Sequence, residues 1–121
     1  MSDAINPIHY KSHPSKVECI DITETLDFLR GNAIKSLWRC NIKHATPLED
    51  LKKAEWYLTR AVNNALPRVG VTAPISKFKS WASRSLLTDN ERIIHNIITN
   101  RLGTALIELR EEIVEQEEKV K

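Results

Sequence analysis

Two cations spaced for phosphate contact lie in the segment GNAIKSLWR at residues 31–39. Lys35 and Arg39 are four residues apart, so on a helix they project from the same side and can hold one phosphate group together. Asn32 shares that face. Arginine makes two hydrogen bonds to a phosphate through its planar guanidinium, whereas lysine offers a point charge. This spacing predicts a phosphate site, and the alternative is a solvated helix face, which most helix cations form.

A second group combines aromatic rings with cations. Its members are Lys53, Trp56, Tyr57 and Arg60. They lie off the apolar stripe of their predicted helix and therefore share a different face. Such residues can stack a base between ring and guanidinium planes while a cation reaches a phosphate. The alternative is that Trp56 and Tyr57 belong to the core or to a dimer interface, and the usual composition of interfaces favours it.

A basic stretch interleaved with an aromatic residue follows Pro74 and suits nucleotides or single strands. Its members are Lys77, Lys79, Trp81 and Arg84. The formal net charge of the chain is only +2, and residues 101–121 carry six glutamates. An acidic C-terminal segment would repel a polynucleotide backbone, so we do not expect long nucleic acid as a ligand.

Glu-x-x-Glu pairs, a spacing typical of Mg²⁺ sites in all-α nucleotide hydrolases, occur only near the C-terminus. They are Glu108 with Glu111, Glu112 with Glu115, and Glu115 with Glu118. All-α nucleotide hydrolases hold Mg²⁺ between four acids, but here a solvated helix surface explains the pairs better. The histidines lack ligand spacing and both cysteines are isolated, so we expect neither a metal nor a cofactor. No catalytic residue can be assigned.

Helical periodicity and capping signals predict an all-α fold of four or five helices in one domain over 1–121. Residues 1–16 are predicted to form an extended arm. A short helix should follow over 17–29, with Gly31 separating it from a second helix over 32–40. Thr46, Pro47 and Glu49 form the start signal of a third helix that reaches about residue 65. These elements make up a helical region over residues 1–66.

A basic connecting segment is predicted over 67–88. Pro67, Gly70 and Pro74 favour a loop over 66–80, with a short helix over 81–86. Thr88 and Glu91 form a capping box that should open one long helix over 89–119. Such a helix of about 30 residues would be near 45 Å long, which exceeds what a domain of this size covers. The sequence therefore predicts a homo-oligomer formed through the C-terminal helix.

Hydropathy shows no apolar run of the ~18 residues that span a bilayer and no signal peptide at the start of the sequence. These features predict a cytoplasmic protein that does not enter a membrane. In that compartment Cys19 and Cys40 should remain reduced.

Four short sequence segments resemble those of a known family in order and spacing. They are INPIHYK at 5–11, ECID at 18–21, GNAIKSLWR at 31–39 and EDLKKAEWYL at 49–58. The resemblance is to a family of small phage domains of otherwise unknown function that includes the early nucleotide kinase of certain short-tailed coliphages. It implies nucleotide handling, and it adds His9, Tyr10 and Lys11 to the candidates for phosphate contact. Ser36 departs from the family, which usually has an aromatic residue there. The turn CNIKHAT also departs from it, because the family's turn is rich in lysine.

These observations lead to one preferred function and two alternatives. The preferred function is a phage protein that binds a phosphorylated nucleotide in a basic pocket without turnover and sequesters a host cyclic-nucleotide defence signal. The first alternative is a nucleoside monophosphate kinase without a P-loop, since no G-x-x-x-x-G-K motif occurs. The second alternative is an interaction protein that has no small ligand.

Overall fold

Residues 13–42 and 47–119 are described in the computed structural model, and they form six helices and no strand. The helices are α1 Cys19–Thr23, α2 Phe28–Ile42, α3 Pro47–Val62, α4 Ala73–Ala82, α5 Asp89–Ile98 and α6 Leu102–Lys119. The all-α prediction is confirmed, with more helices than the four or five expected. As predicted, α3 begins at Pro47 and the longest helix is C-terminal.

Four helices surround the core in the cyclic order α2, α3, α6, α5, because each packs against the next and α5 packs against α2. Each contributes fully buried apolar side chains, such as Trp38, Leu58, Leu109 and Ile94. Helix α4 adds Phe78 to the same core. The short α1 packs against α2 and α4. The core is therefore built from residues far apart in sequence.

Helix α1 is shorter than the helix predicted over 17–29, and Gly31 does not separate two helices. Helix α2 begins at Phe28, where the Asp27 carboxylate accepts a hydrogen bond of 2.9 Å from the Arg30 amide. Gly31 lies inside α2, and a Cβ atom there would lie 3.3 Å from the Thr23 carbonyl oxygen. The glycine thus permits close packing of α1 against α2.

The loop predicted over 66–80 is also wrong, because α4 begins at Ala73. Thr72 caps this helix by accepting a hydrogen bond from the Ile75 amide. Pro74 falls in the first turn, where a missing N–H group removes no helical hydrogen bond. The sequence pattern around Pro74 predicts a residue that interrupts a helix. In the structure, this proline lies in the first turn of α4 and helps to start it.

The single helix predicted over 89–119 is two helices. The capping box of Thr88 and Glu91 is confirmed at the start of α5, but α5 ends at Ile98. Asn100 has a φ of 65°, a left-handed conformation that asparagine tolerates better than most residues. Its side chain accepts a hydrogen bond of 2.7 Å from the Val69 amide and donates one of 3.4 Å to the Val69 carbonyl.

This break removes the length argument for self-association. Helix α6 packs against α5 instead of extending it, and its 18 residues span about 27 Å at 1.5 Å per residue. Homo-oligomerisation through the C-terminal helix stays a prediction.

The last residues of the predicted N-terminal arm are part of the core. His13 and Ser15 are buried, and the ring of His13 packs against Trp38, Phe78 and Trp81. The amide of Lys16 donates to the His13 carbonyl at 3.0 Å, which closes a turn. The rest of the predicted arm, 1–12, lies outside the described residues.

Candidate functional site

A groove of about 200 Å³ lies between α2 and α3. It is lined by Asn32, Lys35, Ser36, Arg39, Asp50, Lys53 and Tyr57. Both helices contribute residues at spacings of three and four, so each presents one continuous face to the groove. We call this feature the basic groove, because three cations and one carboxylate line it.

The carboxylate of the basic groove, Asp50, orients one of the cations. Asp50 is 4% exposed and lies in the first turn of α3. Its Oδ1 atom is 3.9 Å from Nε of Arg39. A buried carboxylate requires a partner, and this pairing involves the Nε edge of the guanidinium. Within residues 13–42 and 47–119, the other nitrogens of Arg39 make no hydrogen bond, so they can contact a ligand in the groove.

An aromatic row borders the basic groove. Tyr57 is half-buried and meets Phe28 edge to face, with ring centroids 5.9 Å apart. On its other side Tyr57 contacts Trp56 at 5.2 Å. Trp56 is 57% exposed, and the Arg60 guanidinium lies 5.1 Å from the centroid of its ring. Trp56 therefore lies outside the core, whereas Tyr57 packs partly against it.

The structure brings five of the predicted site residues together in the basic groove: Asn32, Lys35, Arg39, Lys53 and Tyr57. Trp56 and Arg60 do not line it. The ring of Trp56 contacts that of Tyr57, and the Arg60 guanidinium lies over the ring of Trp56. His9, Tyr10 and Lys11 lie outside the described residues. The groove thus joins most of the two groups that helical spacing predicts on α2 and α3.

The secondary candidates all belong to α4 or its end, away from the basic groove. Lys77 donates to the Lys16 carbonyl at 3.4 Å, and Arg84 donates to Oγ of Ser80 at 2.8 Å. Trp81 packs edge-on against His13. Lys79 is half-buried on the same helix. None of these four residues lines the basic groove.

Sequence reasoning missed three residues of the site. In the sequence, Ser36 is only a departure from the family, and Asp50 belongs to no predicted site. Phe28 falls inside the helix predicted over 17–29, so nothing in the local sequence indicates its contact with Tyr57. The position of Asp50 in a first helical turn is typical of solvated acids, and only the packing of α3 on α2 buries it.

Among the described residues, one acidic cluster consists of Asp89, Glu112 and Glu115. Their carboxylate oxygens lie within 4.8 Å of one another, as a bound metal ion would require. Burial, followed by the Asp89 and Glu115 charges, raises the pKa of Glu112. Arg92 already pairs with Asp89 and lies 3.5 Å from Glu108. This geometry alone assigns no metal.

Both cysteines are free and buried. Burial raises the pKa of the Cys19 thiol to about 12 and also raises that of Cys40. Both thiols therefore stay protonated at neutral pH, and a protonated thiol is a poor nucleophile.

A family model described as a protein of unknown function (DUF3310) matches residues 5–59 of the chain. No curated protein and no solved structure matches the chain. The matched span contains every residue that lines the basic groove. Among the described residues, no helix is long and apolar enough to cross a membrane.

Proposed function

We propose that the protein binds a phosphorylated nucleotide in the basic groove. The observation that carries this proposal is the convergence of Lys35, Arg39 and Lys53, from two helices, on one groove walled by Tyr57. Three cationic side chains and one carboxylate give the lining a formal charge of +2. A phosphate monoester carries about −1.5 to −2 at pH 7, so the two charges match.

The base would lie against the aromatic row. Tyr57 offers a ring at the edge of the groove, and Phe28 is 70% exposed beside it. Stacking of a base on an aromatic side chain is worth about 1–3 kcal/mol and tolerates any base. The arrangement supports nucleotide binding without predicting which base is bound.

Retention without turnover is the second element of the proposal. Asp50 is the carboxylate that lines the basic groove, and because it is 4% exposed and pairs with Arg39, little of it can contact a bound ligand. The wider role, sequestering a cyclic-nucleotide signal of a host, draws on the resemblance to phage domains. It requires that the ligand be released chemically unchanged.

A thermal-shift screen over mono-, di-, tri- and cyclic nucleotides tests binding. A ligand at 100 times its dissociation constant should add about 2.7 kcal/mol to the free energy of unfolding. Ligand recovered after heat denaturation should be unchanged by chromatography. Conversion of a labelled deoxynucleotide in the presence of ATP would instead support the kinase alternative. If no nucleotide raises the melting temperature, the interaction protein becomes the better description.

The site within the molecule is tested by Arg39. Arg39→Ala should lose about 1.5–3 kcal/mol of binding free energy, the range for hydrogen bonds to charged groups, and Arg39→Lys should recover only a fraction of it. Because Arg39 also pairs with buried Asp50, the exposed Lys53→Ala provides a second variant that leaves this pair intact. Lys119→Ala, in α6, is the control and should bind like the parent. Nucleotide binding that survives Arg39→Ala and Lys53→Ala unchanged would place the ligand elsewhere.

A further inference from the structure

A hollow of about 180 Å³ lies next to the basic groove, where α1 and its following turn pack on the start of α2. We call it the α1–α2 hollow. Asn32 and Lys35 line both the hollow and the basic groove, so the two depressions meet at these side chains. A phosphate held by Lys35 in the basic groove therefore leaves the rest of a nucleotide within reach of the hollow.

The apolar part of the α1–α2 hollow suits a planar ring. Ile20, Leu26 and Phe28 line it, and Ile20 and Phe28 are 51% and 70% exposed. Exposed apolar side chains gain free energy when a ligand ring covers them. Trp56, the other exposed ring of the aromatic row, lines neither the hollow nor the basic groove. The hollow is therefore the better position for a base.

Two carboxylates also line the hollow, and they differ in their partners. Oδ2 of Asp27 accepts from the Arg30 amide and its Oδ1 from Nη1 of Arg30, both at 2.9 Å. Glu24 directly follows α1 and is exposed. Within residues 13–42 and 47–119, its carboxylate makes no hydrogen bond and no ion pair. Because an ionised carboxylate only accepts hydrogen bonds, Glu24 favours a ligand group that donates an N–H.

Asn32 adds a second acceptor where the hollow meets the basic groove. Its Nδ2 atom donates to the Phe28 carbonyl at 2.8 Å, which leaves Oδ1 as the free end of the amide. Lys35 is the cation of the lining, and a phosphate in the basic groove engages it. The groups that remain for a base are therefore mainly acceptors.

We infer that the nucleotide bound in the basic groove carries a base with an exocyclic amino group, and that this base lies in the α1–α2 hollow and donates to the Glu24 carboxylate. The inference rests on the proposed nucleotide binding and adds the class of base. Stacking on Phe28 does not discriminate among bases. A carbonyl oxygen in place of the amino group would face the carboxylate with no proton between them, and that repulsion selects against it.

The test compares AMP with purine riboside 5′-monophosphate, which differs from AMP only by lacking the amino group. Titration calorimetry of the full-length protein should give a roughly tenfold higher affinity for AMP, because one hydrogen bond to a charged group contributes about this factor. The two ligands share the phosphate, the sugar and the purine ring, so the ratio of their affinities isolates the amino group. Equal affinities would overturn the inference.

A matched pair of variants tests the role of Glu24. Glu24→Ala removes the acceptor and should bring the ratio close to one. Glu49→Ala is the control, because Glu49 is an exposed acid in the first turn of α3 that lines neither depression. It changes the net charge equally and should keep the roughly tenfold ratio. A ratio that survives Glu24→Ala, or that is lost equally in Glu49→Ala, would show that Glu24 does not select the base.

Failure of this inference and failure of the proposed function give different results. UMP has a phosphate but no amino group. If UMP binds more tightly than AMP, and Lys53→Ala weakens UMP binding, the selection of an amino group is wrong and the basic groove remains the nucleotide site. If AMP, UMP and purine riboside 5′-monophosphate all fail to bind, nucleotide binding itself is contradicted.

Discussion

Glu91 is a buried carboxylate with two hydrogen-bonding neighbours. It is 6% exposed, its Oε2 atom lies 2.7 Å from Nε2 of His13, and the Thr88 amide donates to Oε1 at 2.9 Å. Burial alone would raise its pKa, but the hydrogen bonds from His13 and Thr88 outweigh it. The pKa of Glu91 is therefore lowered from its ordinary value of 4.5.

The lowered pKa predicts a loss of stability in acid. The unfolded chain takes up a proton on Glu91 at a higher pH than the folded chain does, so the stabilisation is present above the ordinary pKa and disappears as the pH falls through the folded value. The free energy of unfolding in urea should fall as the pH drops below the ordinary pKa of 4.5, and it should fall less steeply in Glu91→Gln. Equal slopes in the two proteins would contradict the role of Glu91.

At the residue scale, helical spacing was sufficient to predict five of the seven residues that line the basic groove. Lys35 and Arg39 share a face because the period of a helix decides it, and Lys53 and Tyr57 follow the same rule. The contacts of Asp50 and His13 could not be predicted in this way. Asp50 is buried only because α3 packs on α2, and the partner of His13 lies 78 positions away.

At the scale of elements, Asn100 determines where α5 ends and α6 begins. Asn100→Ala should lower the free energy of unfolding by about 2–3 kcal/mol, because alanine resists the left-handed conformation and the hydrogen bonds to Val69 are lost. Asn100→Gly removes the strain but also loses those bonds, so about 1 kcal/mol should be lost. Urea denaturation measures both variants, with the exposed Asn63→Ala as the control. Equal losses for alanine and glycine would show that the backbone conformation contributes nothing.

Local signals explain which elements could be predicted from the sequence. The capping box at Thr88 and the proline at the start of α3 act through neighbouring backbone groups, so the pattern alone identifies both starts. A proline such as Pro74 can either end a helix or begin one. Only the cap formed by Thr72 shows that Pro74 lies at the start of a helix. The break at Asn100 is stabilised by Val69, 31 positions earlier, and periodicity continues across it. For that reason the apolar pattern predicted one helix instead of two.

At the scale of the whole molecule, self-association through α6 remains a prediction. Ile107 and Val114 are 62% and 54% exposed, and their spacing of seven places them on one face of the helix. Light scattering at micromolar concentration should give a mass above the 13.9 kDa of one chain. Ile107→Lys should return the protein to a monomer, whereas Leu86→Lys, at an exposed apolar residue outside α6, should not. A monomeric parent would contradict the prediction.

The construction of the core from distant segments has a consequence for synthesis on the ribosome. Trp38 and Leu58 lie in the segment that matches the family, but the side chains that cover them include Phe78, Ile94 and Leu109. The nascent chain exposes the apolar faces of α2 and α3 until the C-terminal helices have left the exit tunnel. At about 5–20 residues per second, translation of the roughly 60 residues after Thr59 takes about 3–12 s. During these seconds the apolar faces of α2 and α3 are exposed. A chaperone, another nascent chain or the unfinished second half of the same chain can bind to them.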